Sequence, residues 1–250
     1  ELRHAVPDGQ LELYFQPIVD LATGGIVKAE ALLRWRHASG ALLSPDTFIE
    51  VAEESGLIHE IGDWVFRTAA QQSKRWSELL GRDFQISINK SPVQFQPQTE
   101  AADWVAHLDA IRLGPRCINV EITEGLLLNL SDTVMDKLAT LQASGMQVSI
   151  DDFGTGYSSM SYLKRLDIDY LKIDQSFVKE LVHDNFSRTI TETIIVMAHK
   201  LGLKVIAEGV ETQEQCDCLG RAGCDFGQGF LFSRPLPAAA FEGLLAGRAG

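Results

Sequence analysis

Short apolar runs recur along the chain, and stretches with apolar residues at helical spacing lie between them. The runs cover residues 13–19, 26–34, 84–89, 118–123, 147–151, 170–174, 204–208 and 227–232, and each predicts a β-strand. Eight strands that alternate with helices predict a parallel sheet covered by helices. In a chain of 250 residues this favours one (β/α)8 barrel, with an open doubly wound sheet as the structural alternative. We therefore expect residues 1–250 to form a single α/β domain.

Residues that are typical of helix ends support this alternation. Ser44, which is followed by proline, is a good N-cap and predicts a helix that leads on to Ile58. Ser131 begins a second predicted helix, which Gly145 closes. A third apolar stripe, over residues 190–201, ends at the next glycine. The helical segments are thus separated by the predicted strands.

Several predicted strands carry polar residues at every second position. In the strand 118–123, Asn119 and Glu121 alternate with isoleucine and valine. In isolation, this alternation is typical of an antiparallel strand with one solvated face. The intervening helices argue against that interpretation, because they would cover the apolar face and leave the polar side chains inside the barrel. Charged groups in a protein interior must pair or bind a metal, so these strands predict a functional site.

The polar residues fall late in their strands, and therefore at the C-terminal mouth, where barrel enzymes carry their active sites. The candidate set consists of Glu30, Asn89, Glu121, Asp151, Asp152, Lys172, Glu208 and Gln228. It offers oxygen ligands and no His or Cys, which favours hard cations such as Mg²⁺ or Mn²⁺ over zinc. Two such ions would neutralise the clustered carboxylates, and two ions are the usual arrangement for displacement at phosphorus. The set predicts a metal-dependent phosphodiester hydrolase.

Some of these assignments have a plain structural alternative. Asp151 and Asp152 precede a glycine-containing loop and could simply form a turn. Lys172 could orient or deprotonate the attacking water, or form a structural ion pair. Arg34, four residues after Glu30, could hold a substrate phosphate or a surface salt bridge. Within the acidic pair, we expect Asp151 to bridge the two ions and Asp152 to bind only one.

Composition narrows the range of partners. The formal net charge of −12 argues against binding to a DNA or RNA polymer, which requires a basic face. The four cysteines lack the spacing of a zinc site and predict reduced thiols in a cytoplasmic protein. Apolar runs are too short to span a bilayer, so we expect no membrane contact by this domain. We also expect the chain to be a domain of a longer protein, and any membrane tether would lie in other parts of that protein.

Eight motifs follow one another along the predicted strands and their ends. They are Tyr-Phe-Gln-Pro-Ile-Val beginning at 14, Glu-Ala-Leu-Leu-Arg-Trp at 30, Ser-Ile-Asn-Lys-Ser-Pro at 87, Glu-Ile-Thr-Glu-Gly at 121, Asp-Asp-Phe-Gly-Thr-Gly-Tyr-Ser-Ser at 151, Leu-Lys-Ile-Asp at 171, Ala-Glu-Gly-Val-Glu-Thr at 207, and Gln-Gly-Phe-Leu-Phe-Ser-Arg-Pro at 228. The tripeptide Glu-Ala-Leu alone carries little information. Together and in this order, the motifs closely resemble the EAL-domain phosphodiesterases of bacterial cyclic-di-GMP signalling.

The resemblance implies a modified (β/α)8 TIM-type barrel whose first strand runs antiparallel to the others. It also implies that one phosphodiester bond of cyclic-di-GMP is hydrolysed to give linear 5′-pGpG, with two Mg²⁺ or Mn²⁺ ions. Carried over by position, it makes Glu30, Asn89, Glu121, Asp151, Asp152 and Glu208 the metal ligands. It further implies a homodimer, and sensory or cyclase domains in the parent protein.

The resemblance also assigns the remaining roles. Lys172 matches the catalytic lysine near the attacking water, and Glu211 and Gln228 match residues that support the site. The matching substrate contacts are Gln16, Leu33 and Arg34. The residues that match the segment coupling the site to dimerisation are Thr123, Glu124, Phe153, Gly154 and Ser158.

Two other functions remain open on the sequence alone. A receptor of the same family would bind cyclic-di-GMP without cleaving it, although such proteins typically lose a metal ligand or the lysine. A metal-dependent barrel lyase or isomerase would share the carboxylates and the lysine, but would leave Gln16 and Arg34 unexplained. Incubation with cyclic-di-GMP and a divalent metal separates all three functions.

Overall fold

The computed structural model describes residues 1–95, 100–127, 131–156, 163 and 166–247. The strands in these ranges are β1 Leu11–Asp20, β2 Ile26–Arg36, β3 Leu42–Leu43, β4 Gln85–Asn89, β5 Ile118–Thr123, β6 Gln147–Phe153, β7 Tyr170–Ile173, β8 Lys204–Ala207, β9 Phe226–Gln228 and β10 Leu236–Pro237. The α-helices are α1 Ile49–Glu54, α2 Ile58–Leu80, α3 Glu100–Ile111, α4 Glu124–Leu127, α5 Asp132–Ala143, α6 Gln175–Glu180, α7 Asn185–Lys200, α8 Gln213–Ala222 and α9 Ala238–Gly247.

Eight of the strands close into a barrel. β1 pairs antiparallel with both β2 and β9, and the pairs from β2 through β4, β5, β6, β7 and β8 to β9 are all parallel. The two-residue strands β3 and β10 add to β2 and β1 outside the closed ring. This confirms the predicted α/β barrel with one antiparallel strand, and it rules out the open sheet.

Local signals predicted some helix ends correctly and one helix wrongly. The hydroxyl of Ser131 accepts a hydrogen bond from the Val134 amide at 3.3 Å, so it caps α5 as predicted. The helix expected from Ser44 is broken instead. Residues 45–47 form a short 3₁₀ turn, and Gly56, with a φ of +75°, separates α1 from α2. An N-cap signal marks where a helix can begin, but it does not fix how far the helix runs.

The last predicted strand, 227–232, is too long. β9 ends at Gln228 because the chain turns there against the segment that follows β8. A Cβ on Gly229 would lie 2.1 Å from the carbonyl oxygen of Val210, so only glycine allows this approach. The Leu231 amide then donates to the same Val210 carbonyl. The segment after β9 is thereby held beside the segment after β8, at the mouth of the barrel.

The hydrophobic core lies between the barrel and its helices. Trp76 of α2 is fully buried, and its ring stacks on Phe241 of α9 with centroids 4.7 Å apart. Phe15 of β1 packs edge-on against the same indole at 4.7 Å. Full burial of side chains of this size contributes about 2–3 kcal/mol each. Among the helices of the described ranges, none combines the length and apolar character needed to cross a bilayer.

Candidate active site

The strand ends bring four carboxylates around one buried ammonium group. Nζ of Lys172, on β7, is fully buried and lies 2.5 Å from Oε2 of Glu121 and 2.7 Å from Oε1 of Glu208. It also lies 3.1 Å from Oδ1 of Asp151 and 3.5 Å from Oε2 of Glu30. Because one ammonium cannot balance four ionised carboxylates, full ionisation of this cluster would leave an excess of negative charge.

Strand register explains why residues far apart in sequence meet here. Asn89 on β4 lies opposite Glu121 on β5, and Thr123 at the end of β5 lies opposite Asp151 on β6. Glu208 directly follows β8, whose last residue pairs with the last residue of β7. Parallel strands end at the same edge, so each late polar residue points to the same mouth.

A β-bulge lets the two adjacent aspartates face the same site. The register between β6 and β7 shifts between Ile150 and Phe153, and Asp152 within the bulge has a φ of +55°. In a regular strand, neighbouring side chains would point to opposite faces. Asp is one of the few residues that adopts this left-handed conformation readily. Ligand oxygens of Asp151, Asp152 and Glu208 consequently lie within 4.8 Å of one another.

Burial and mutual repulsion oppose the ionisation of several of these groups. Burial raises the pKa of Glu121 to about 7, although Lys172 acts in the opposite direction. Burial likewise raises the pKa of Glu208 well above its usual range. Burial, together with the neighbouring Asp151 carboxylate, raises the pKa of Asp152 to about 6. Either protons or further cations must therefore balance this cluster near neutral pH.

Glu30 is held differently from the other carboxylates. It accepts hydrogen bonds from Nε2 of Gln228 at 2.6 Å and from Nδ2 of Asn89 at 2.6 Å. Burial would raise the pKa of Glu30, but Lys172 and these two amides lower it instead. The four carboxylates in turn hold the pKa of Lys172 well above its usual range, against the effect of burial. The surroundings of Glu30 and of Lys172 thus both favour the charged form of the group.

The donor chemistry of this cluster fits divalent metal ions. Its ligand atoms are carboxylate oxygens and the Asn89 amide, which suit hard cations. The residues that would hold the ions are Glu30, Asn89, Glu121, Asp151, Asp152 and Glu208. Four carboxylates around one ammonium group would be further stabilised by added positive charge. An acidic cluster able to bind metal is therefore present among the described residues.

Of the two residues predicted to support the site, Gln228 contacts its carboxylates directly, and Glu211 lies at the surface. Gln228 donates to both Glu30 and, at 3.1 Å, Oε1 of Gln16, whose own Nε2 donates to the Ser233 carbonyl at 3.1 Å. Gln16 and Gln228 therefore lie beside Glu30. Glu211 has an exposed side chain, and its backbone amide donates to Oε1 of Gln215. A role for Glu211 in the site stays a prediction.

The two predicted substrate contacts on β2 lie on opposite faces. Arg34, like Glu30, stands at an even-numbered position of β2, so the two side chains share one face of the strand. Arg34 is half-buried. Leu33 belongs to the other face, where it is buried in the core between barrel and helices. The residue on the site face is Leu32, which is half-buried. A contact between substrate and Leu33 stays a prediction, and this placement favours Leu32.

Two of the predicted coupling residues, Glu124 and Gly154, are hydrogen-bonded to each other between the ends of β5 and β6. We call this contact the latch. Oε2 of Glu124, directly after Thr123, accepts a hydrogen bond from the Gly154 amide at 2.7 Å and a longer one from the Gly156 amide at 3.4 Å. Phe153 is buried at the end of β6. Ser158 lies outside the described residues. The turn after the two aspartates is thus tied to the first residue of α4, which directly follows β5.

Sequence reasoning missed one buried polar residue near the cluster, Lys28, and the hydrogen-bond partners of another, Asn119. Lys28, two residues before Glu30 on β2, is buried, with its Nζ 3.1 Å from the centre of the Tyr170 ring. Below Glu121, Asn119 donates to the hydroxyls of Ser87 at 2.8 Å and Ser149 at 2.6 Å. The alternation of β2 would have marked Lys28 as inward-facing, whereas the contact with Tyr170 crosses the barrel and has no local signal.

An exposed aromatic residue at the mouth was also missed. The Phe230 ring is 47% exposed, and the Arg234 guanidinium lies 4.1 Å from its centre. Both residues stand in the segment that packs on Val210 and accepts the hydrogen bond from Gln16. Their sequence separation carries no periodic signal, because the segment is a turn.

Comparison with known proteins places this arrangement in one family. The EAL domain model matches residues 1–235. The cyclic di-GMP phosphodiesterase NbdA of Pseudomonas aeruginosa is 43% identical over 98% of this chain and 31% of its own length. MucR of the same organism, a bifunctional diguanylate cyclase/cyclic di-GMP phosphodiesterase, is 41% identical over 98% of this chain and 36% of its own length. The chain therefore spans about a third of the length of these two relatives.

The solved structures agree with the sequence comparison. A structure described as the PaMucR phosphodiesterase in complex with c-di-GMP matches with a TM-score of 0.91 and 41% identity. The match covers 96% of this chain and 97% of that one. The predicted resemblance is thereby confirmed, and the chain belongs to the EAL domain family.

Proposed function

We propose that this domain hydrolyses one phosphodiester bond of cyclic-di-GMP to give linear 5′-pGpG, with two Mg²⁺ or Mn²⁺ ions. The observation that carries the proposal is the convergence of four carboxylates on Lys172, with Asp152 beside them, at the mouth of an EAL-family barrel. The names of NbdA and MucR, which state the same activity for those proteins, support it.

The acidic residues would hold the metal ions. Glu30, Asn89, Glu121, Asp151, Asp152 and Glu208 are assigned as ligands, with Asp151 as the bridge between the ions and Asp152 as a ligand of one. When bound, the ions would supply an activated water and stabilise the charge that develops on the phosphoryl group. The excess negative charge of the cluster supports this assignment, since two divalent cations would relieve it.

The other residues orient the reactants. The Lys172 ammonium carries three donors in the centre of the site, and it can hold the attacking water or stabilise developing charge. Gln228 and Asn89 fix both oxygens of Glu30, so this ligand is oriented before any cation binds. Arg34 presents a planar donor fork suited to a phosphate oxygen pair. Gln16 and Leu32 line the same face and would meet the substrate.

Incubation of the purified domain with cyclic-di-GMP tests this function. We expect linear dinucleotide with Mg²⁺ or Mn²⁺, and none after addition of EDTA. Glu30→Ala and Lys172→Ala should also abolish the product, whereas Lys74→Ala, on the outer surface of α2, should not. Tight binding without product would instead identify a receptor, and neither binding nor product would overturn the assignment to cyclic-di-GMP.

The setting of the domain is part of the proposal. The domain acts in the cytoplasm as a homodimer, without membrane contact of its own, and it is joined to sensory or cyclase domains in its parent. The relatives' greater length supports the last point. The latch from Glu124 to Gly154 supports coupling between the site and a dimer interface, because it connects the start of α4 to the turn that follows the two aspartates.

A further inference from the structure

Two arginines lie near the C-terminal end of β2, and only one of them is neutralised. Arg36 pairs with Glu12 through Nε, and its Nη2 lies 3.0 Å from the second carboxylate oxygen. Arg34 forms no ion pair with any carboxylate of the described residues, and its Nη1 donates to the carbonyl of Leu33 at 2.7 Å. Arg34 therefore keeps most of its donors available at the mouth of the site.

Tyr14 on β1 lies diagonally across from Arg34. The register pairs Tyr14 with Leu32 and Glu12 with Arg34, so all these side chains share the face that carries Glu30. The guanidinium carbon of Arg34 lies 5.7 Å from the centre of the Tyr14 ring. Glu12 and, to a smaller extent, the Tyr14 hydroxyl raise the pKa of Arg36. The ring of Tyr14 thus lies beside the arginine that has no carboxylate partner among the described residues.

We propose that Tyr14 is a positioning residue for substrate binding, whose ring orients the Arg34 guanidinium toward a phosphate oxygen of the cyclic dinucleotide. This inference rests on the proposed function. An aromatic ring attracts a guanidinium group within about 6 Å of its centroid and uses none of its N–H donors. A carboxylate in the same place would occupy the donor fork that a phosphate needs. Glu12 supplies such a carboxylate to Arg36 and so removes the neighbouring arginine from competition.

Steady-state kinetics with cyclic-di-GMP test the role of Tyr14. A cation–π contact at an exposed site is worth about 0.5–1 kcal/mol, so we expect Tyr14→Leu to raise KM about two- to fivefold with kcat little changed. Tyr14→Phe keeps the ring and loses the hydroxyl, so its KM should equal that of wild type. Phe186→Leu, an exposed substitution on α7, is the matched control. Tyr14→Met replaces Tyr14→Leu if melting curves show that the leucine variant does not fold.

A double-mutant cycle shows whether Tyr14 acts through Arg34. In an Arg34→Gln background, Tyr14→Leu should produce no further rise in KM. The inference is overturned if Tyr14→Leu leaves KM unchanged, if Tyr14→Phe raises KM equally, or if the effect persists in the Arg34→Gln background. Turnover by the wild-type domain in the same assay distinguishes a failure of the proposed function from a failure of the proposed role of Tyr14. If the wild-type domain does not turn over cyclic-di-GMP, the proposed function fails, and the role of Tyr14 fails with it. If the wild-type domain is active, an unchanged KM in Tyr14→Leu refutes only the role of Tyr14.

Discussion

Replacing Lys172 by methionine removes the fully buried ammonium that four carboxylates share. Methionine keeps the length and apolar stem of the side chain, so the barrel packing is largely preserved. The carboxylates lose their common counter-charge in a site that is shielded from water. Removal of one partner from a buried ion pair costs about 3–5 kcal/mol. We expect a loss of this size in the free energy of unfolding of the metal-free protein at about pH 8.

Protonation sets an upper limit to this loss and gives it a pH dependence. The cluster can stay buried in the variant if one additional carboxyl takes up a proton. With the ordinary glutamic acid pKa of 4.5, this costs about 5 kcal/mol at about pH 8 and about 1 kcal/mol at about pH 5. The folded variant then binds more protons than its unfolded chain. Its free energy of unfolding therefore falls as the pH rises.

Urea denaturation in EDTA, followed by the fluorescence of the buried tryptophans, measures this effect at both pH values. Lys74→Met is the control, because Lys74 lies on the outer face of α2, 3.8 Å from Glu78, in a pair that is worth less than about 1 kcal/mol. A Lys172→Met loss that is the same at both pH values, or below about 1 kcal/mol at about pH 8, would refute this view of the cluster.

Substitutions at three further positions test separate parts of the structure. Asp152→Gly and Asp152→Ala should both require more Mn²⁺ for half-maximal activity. Only the alanine variant should also have a free energy of unfolding lower by about 1 kcal/mol, because alanine is strained at a φ of +55°. Glu124→Ala removes the acceptor of the Gly154 amide, a charge-assisted bond worth about 1.5–3 kcal/mol, so hydrogen exchange at residues 153–156 should accelerate at least tenfold. Ser131→Ala should lower the free energy of unfolding by about 1 kcal/mol in urea.

Each of these changes has a contrary outcome. Equal stability of the two Asp152 variants would show that the bulge conformation is not strained for alanine. Unchanged exchange in Glu124→Ala would show that the latch does not hold the loop closed in solution. Full stability of Ser131→Ala would mean that water satisfies the Val134 amide as well as the hydroxyl does.

The order of strands and their late polar residues could be predicted because they depend on local pattern. Alternation within β5 marks Glu121 as inward-facing, and Ser131 marks a helix start through a bond to a residue three positions later. The existence of a shared mouth follows from parallel strands alone. These signals lie within a few residues of the feature they predict.

Features that depend on backbone geometry or on distant contacts could not be predicted in this way. The sequence does not show that Asp152 adopts a positive φ, which turns its carboxylate toward that of Asp151. By contrast, the alternation that places Glu30 inside the barrel also places Leu32 on the site face and Leu33 on the other, so this assignment was available from the sequence. The hydrogen bonds from Gln228 to Glu30 and Gln16 join residues about 200 positions apart and are visible only in the folded barrel.

Hydrolysis in water enriched with oxygen-18 tests the central claim most directly. The domain is incubated with cyclic-di-GMP and Mn²⁺, and the product is analysed by mass spectrometry. We expect a linear dinucleotide with a single oxygen-18 atom in its new terminal phosphate, and no product in the Lys172→Ala variant. Cyclic-di-GMP that is bound but recovered intact, or a linear product without the label, would contradict it.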